Sequence, residues 1–158
     1  MSQPTATPSK RHRPPFALAG VRTQRKAAYA LAILLTIAAG LASRRCPGLL
    51  PEAFGKYPGD ALYAVMIYWL VALVRPRDGI VRSGTFALAI CFAIEGLQLW
   101  QPPWLQAIRA TTIGHLVLGS HFNAPDLLAY AVGVLAAMAS EALSVALSAA
   151  AEAASDKD

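Results

Sequence analysis

The sequence predicts an all-α fold, a polytopic membrane helical bundle of four transmembrane helices, and three observations carry that reading. Of the 158 residues 56% are hydrophobic and only 15% charged, too apolar a balance for an ordinary soluble domain. The apolar residues fall into long runs nearly free of charge, separated by short breaks rich in Pro and Arg. The net charge of +5 is uneven, with Lys10, Arg11, Arg13, Arg22, Arg25 and Lys26 crowded ahead of the first apolar run. Beside a membrane span such a cluster marks the cytoplasmic flank more simply than a nucleic-acid site, so no nucleic-acid partner is expected.

Residues 1–26 are basic and proline-bearing, with too few apolar groups to offset the entropy of ordering, and read as a disordered cytoplasmic tail. The first span is expected over 27–43 (AAYALAILLTIAAGLAS), close to the ~20 residues needed to cross the hydrocarbon core. Gly40 and Ala42 supply the small-x-small pair of a signal-peptide cut, but the charged region ahead of the core is long and Arg44 and Arg45 follow it. The second span is expected over 60–75, with Asp60 at its start and Arg75-Pro76 stopping it. A third, over 82–100, carries Glu95 near its far end and stops at Gln101-Pro102-Pro103. The fourth is expected over 126–147, followed by a polar C-terminal tail over 152–158. Between the third and fourth, the apolar piece TTIGHLVLG within 104–122 is too short to cross and reads as a re-entrant or interfacial helix. Were it to cross, the count would be five. Four spans with the amino terminus inside put ten Lys and Arg on the inner side against Arg44, Arg45, Lys56 and Arg109 outside, which satisfies the positive-inside rule. The expected address is the bacterial inner (cytoplasmic) membrane, multi-pass, with both termini cytoplasmic.

That threading sorts the polar residues onto one side. Asp60, Glu95 and Asp126 all fall at outer ends of spans, joined there by Lys56, Tyr57, Arg44 and Arg109. Gln98 lies three residues after Glu95 and Cys91 one turn before it, so the three form a polar stripe on one helix face. The candidate ligand-binding set is therefore Glu95, Gln98, Arg109, Asp126, Lys56, Tyr57, Asp60 and Arg44. Plainer readings stand beside it. A glutamate in a span with an arginine nearby is as often a buried ion pair that fixes packing. Asp60 and Asp126 are explained singly by helix capping, and Arg44 and Arg45 by lipid head groups.

The chemistry of an enzyme is thin. Cys46 and Cys91 build no disulfide framework or zinc spacing. His115, His121 and Asp126 match no zinc signature, and Ser120-His121 is no nucleophile elbow. No metal, cofactor or catalytic residue is expected.

The runs SRRCPGLLPEAFGKYPGD, IEGLQLW, PWLQAIRATTIGHLVLGSHF and DLLAYAVG resemble the small bacterial integral membrane proteins of the domain of unknown function 2809 family. The resemblance covers about 29–133 and implies a membrane address without an activity. A fainter one is to VanZ-like membrane proteins, which carry E-x-x-Q on one helix, then an arginine, then D-x-x-x-N-x-x-G. Glu95, Gln98, Arg109, Asp126 and Gly133 take those places, with Tyr130 standing where that family has asparagine and Arg109 farther ahead of Asp126. It implies a cell-envelope role.

Three functions follow as expectations. The first is non-catalytic binding of an anionic lipid head group or cell-envelope precursor at the outward-facing polar site. The second is a small transporter or proton-coupled protein using Glu95, and the third a structural scaffold. The partners expected are membrane lipids, with oligomerisation left open.

Overall fold

A computed structural model of the protein describes residues 15–45 and 57–155, with side chains from Gln24 onward except Arg44. Among the described residues there are six helices: α1 (Pro15–Arg45), α2 (Tyr57–Val74), α3 (Ile80–Leu97), α4 (Pro103–Arg109), α5 (Thr112–Leu118) and α6 (Ala124–Ser155). Four of them, α1, α2, α3 and α6, contain stretches long and apolar enough to cross a membrane.

Each boundary has a local cause. Pro58 is tolerated in the first turn of α2 because the amides there have no intrahelical partner, and Asp60 in the same turn favours the positive end of the helix. Pro76 disfavours the helical region for Arg75 and ends α2 at Val74. The turn that follows is held by Asp78, which takes Arg75 Nε at 2.6 Å and Arg82 at 3.8 Å, while the Arg75 guanidinium lies 4.1 Å from the Phe86 ring centroid. Pro103 opens α4 as a first-turn proline. Thr111 caps α5 by accepting from Gly114 N–H at 3.0 Å.

The part of the amino-terminal tail expected to be disordered is helical from Pro15 on, with α1 running unbroken into the first span. One of the charges counted as tail is used in packing: Arg25 reaches Glu141 at 3.4 Å and lies 6.0 Å from the Tyr29 ring centroid. Residues 1–14 lie outside the described set.

Helix α2 is central and packs against α1, α3 and α6, while α3 also packs against α6. Their shared core is made of Ala64, Ile67, Tyr68 and Val71 of α2, Ala87 and Cys91 of α3, and Tyr130, Val134 and Ala137 of α6. Tyr29, near the start of the apolar span Gln24–Ser43 within α1, stacks on Trp69 in the last third of α2 at 5.6 Å, so the two spans run antiparallel. At Gly133 a Cβ would strike the Ala61 carbonyl, and glycine is what lets α6 approach α2 backbone to backbone. The short helices α4 and α5 keep Trp104, Ile108, Ile113 and Val117 exposed, an apolar surface suited to lipid and far too short to span it.

Candidate functional site

At one end of the bundle, Glu95 of α3 is fully buried, at 0% exposure. Its Oε1 accepts the backbone N–H of Asn123 at 2.6 Å, and its Oε2 accepts Gln98 Nε2 at 3.1 Å and the Tyr130 hydroxyl at 3.0 Å. Asn123 is the residue before α6, so Glu95 takes up one of the orphan amides at that helix start and sits at its positive end. Asn123 Nδ2 in turn donates to Asp126 Oδ1 at 2.5 Å, and Asp126, in the first turn of α6, is itself buried. Gly119, at φ +62°, closes α5 in a backbone region open mainly to glycine, and a Cβ there would collide with the Gln98 amide.

Arg109 is buried as well, but it does not pair with Glu95. Its Nη2 donates to Leu97 O at 2.9 Å and its Nη1 to Trp100 O at 3.1 Å, so the guanidinium caps the carboxyl end of α3, where carbonyls lack partners and a cation is favoured. The sequence-based alternative of a buried Glu95–Arg109 ion pair is thus replaced by two separate helix-end contacts, since each charge finds the opposite pole of a different helix. Arg109 Nε is buried and has no hydrogen-bond partner among the described residues.

Gln98 joins the Glu95 cluster. Tyr57 is exposed and Asp60 half-buried, both on the first turn of α2. Lys56 lies outside the described residues, as does the side chain of Arg44. Cys91, one turn below Glu95, belongs to the apolar core. Among the described residues no group of three His, Cys, Asp or Glu side chains is placed to hold a metal ion.

Sequence reasoning missed Asn123 and Tyr130 as partners of Glu95, and it missed a second buried carboxylate altogether. Glu141 of α6 accepts the Tyr68 hydroxyl at 2.5 Å on Oε2, and on Oε1 the Tyr29 hydroxyl at 2.6 Å and Arg25 at 3.4 Å. It thereby ties α1, α2 and α6 together. Asp126 and Glu141 are fifteen positions apart on α6, about 22 Å along the axis, so the polar clusters lie at opposite ends of the apolar core. The readable signal was the buried spacing Asp126, Tyr130, Gly133, Val134, Ala137, Glu141, one stripe at helical period.

Four apolar spans, two short helices closing one end, and carboxylates satisfied by neighbouring helices define a polytopic helical membrane protein. A family model described as "Protein of unknown function (DUF2809)" matches residues 49–134, more than half of the chain, and the chain belongs to that family. The matched region holds the Glu95 cluster and Arg109, and stops short of Glu141. No solved structure matches the chain.

Proposed function

We propose that the protein resides in a bacterial inner membrane with both termini cytoplasmic and, without catalysing a reaction, binds an anionic lipid head group or envelope precursor at its Glu95 end. The observation that carries this reading is Arg109: a buried guanidinium with a spare Nε donor, paired with no carboxylate among the described residues and resting on the partial charge at a helix end. Such a cation retains most of its positive potential for a phosphate, which prefers guanidinium geometry. Lys56, which lies outside the described residues, is the second cation that the sequence offers for the phosphate. Glu95, Gln98 and Asp126 fix the helix ends around it and do not themselves contact the ligand. The orientation is supported by Arg25, Arg75, Arg77 and Arg82, which gather at the opposite end. Glu95 and Gln98 take the E-x-x-Q places of the fainter VanZ-like resemblance with its cell-envelope role, and their contact supports the reading, whereas Tyr130 stands where that family has asparagine.

The proton-coupled alternative has less support, because Ala64, Ala87, Cys91, Val134 and Ala137 fill the space between the Glu95 and Glu141 clusters. The test is the phospholipid content of protein purified in mild detergent. Wild type should retain anionic phospholipid and a Lys56→Ala, Arg109→Gln double variant should lose most of it. Glutamine keeps a donor for the α3 carbonyls, and matched thermal unfolding controls for the lost cap. Equal lipid retention in a folded double variant overturns the reading.

A further inference from the structure

The connection between α3 and α6 is a stiff piece on loose joints. Inside it, Thr111 Oγ1 donates to Ile108 O at 2.7 Å while accepting Gly114 N–H, and Gly114 lies so close to the Ile108 carbonyl that a Cβ there would strike it. Helices α4 and α5 are thus locked to each other. Their hold on the bundle is slight by comparison. From Pro103 to Val117 every residue is exposed except Leu105, Arg109 and Gly114, and Leu105 is the one apolar side chain buried. The polar ties to α2 and the end of α3 are the Arg109 guanidinium on Leu97 O and Trp100 O, and the Tyr63 hydroxyl donating to Val117 O at 2.9 Å. A segment with so little buried apolar surface opens at a lower free energy than the core beside it.

Both feet of this hairpin are pinned by the same carboxylate. Glu95 holds Gln98 on the α3 side and the Asn123 amide on the α6 side, and Gln101 joins the two by donating to Gln98 O at 2.7 Å and to Ser120 O at 3.4 Å. Between these pins and the hairpin lie Pro102 and Pro103, which bring no N–H to bond back to α3, and Gly119 at its positive φ. These are the joints. Closed, the hairpin holds Arg109 at 6% exposure with its Nε unbonded among the described residues, a buried donor whose cost is relieved once water or a phosphate oxygen reaches it.

We infer that α4 and α5 form a rigid lid that pivots on the Glu95 cluster and, on lifting, carries the Arg109 guanidinium from the carboxyl end of α3 to the phosphate of an anionic lipid. The inference rests on the head-group reading above and deepens it by supplying the route between a ligand and a buried cation. Tyr63 is the catch that holds the lid down.

Hydrogen–deuterium exchange of the full-length protein in nanodiscs containing phosphatidylglycerol reads the motion. Amides over 104–118 should exchange together and faster than those over 64–71 of α2 and 87–95 of α3. Tyr63→Phe, which keeps the ring packed near Tyr130, should speed the hairpin alone by about two- to tenfold, the worth of one hydrogen bond. A hairpin as slow as those segments, or one that Tyr63→Phe leaves unchanged, overturns the lid. For the ligand, Tyr63→Cys and Val117→Cys in a Cys46→Ser background are bridged by a methanethiosulfonate cross-linker as long as the tyrosine side chain. Delipidated and bridged, the protein should lose most of its uptake of added phosphatidylglycerol, and reduction of the bridge should restore it. The two forms share one sequence, so a folding defect of the variant does not separate them. Equal uptake before and after reduction sinks the lid alone, whereas no uptake in either form sinks the head-group reading and the role of the lid with it.

Discussion

Removing the Glu95 carboxylate should cost stability far beyond what one side chain at the rim of a bundle normally contributes. Glu95→Ala deletes three hydrogen bonds at once, to Asn123 N–H, Gln98 Nε2 and the Tyr130 hydroxyl, in a position with no solvent exposure. Interhelical hydrogen bonds in membrane bundles average about 0.6 kcal/mol and reach about 1.7, so the three give a loss of about 2–5 kcal/mol. The upper part of that range is favoured, because the Asn123 amide is left buried without an acceptor at a helix start. Glu95→Gln should fall lower, at about 1–2 kcal/mol. Its amide oxygen can still accept from Asn123 while the new NH₂ donates to Tyr130, whose hydroxyl turns to accept, and to Gln98 Oε1 once that amide flips, so the loss is the charge-assisted part of each bond. Tryptophan fluorescence during denaturant unfolding in mixed micelles measures both. An alanine variant within about 0.5 kcal/mol of wild type, or one no worse than glutamine, would show that the cluster does not hold α3 to α6 and refute the reasoning.

The Glu141 cluster yields a parallel expectation: Tyr68→Phe and Tyr29→Phe should each destabilise by about 0.5–1.5 kcal/mol, and their effects should be absent in a Glu141→Ala background. A double-mutant cycle read by the same unfolding assay decides it. Gly133→Val should destabilise strongly, by about 3 kcal/mol or more, because its Cβ meets the fixed Ala61 backbone. Gly84→Ala should cost about 1 kcal/mol or less, since the atoms in its way are the flexible end of Met138; thermal unfolding of the two separates them. Single cysteines at Arg45 and His121, both exposed, should react with a membrane-impermeant maleimide from the same face in a Cys46→Ser background, and one at Arg77 from the opposite face. Labelling of positions 45 and 121 from different faces would break the proposed topology.

The spans could be read from the sequence because lipid leaves a one-dimensional mark: a charge-free run of sufficient length needs no knowledge of its neighbours. Glu95 was legible for the same reason, as an interruption of such a run. Its partners were not, since Asn123 and Tyr130 are 28 and 35 positions away and meet it only once α6 is docked. Arg109 misled because its partners are main-chain carbonyls, which no side-chain pattern advertises. Glu141 was hidden by its surroundings: between Ser140 and the alanine-rich stretch that follows, it passed for the polar end of a span. The start of α1 was missed because the charges that suggested disorder include Arg25, which folding uses to reach that same glutamate.

The length of α6 has a practical consequence. Its 32 residues extend about 48 Å, whereas the hydrocarbon layer is about 30 Å thick, and residues 142–155 lie wholly on the surface. Set along the membrane normal with Ala124 at one boundary, the helix would carry roughly 18 Å of rod past the other. A reporter or affinity handle joined beyond Ser155 would then be held off the lipid by that distance, and its attachment disturbs neither carboxylate cluster.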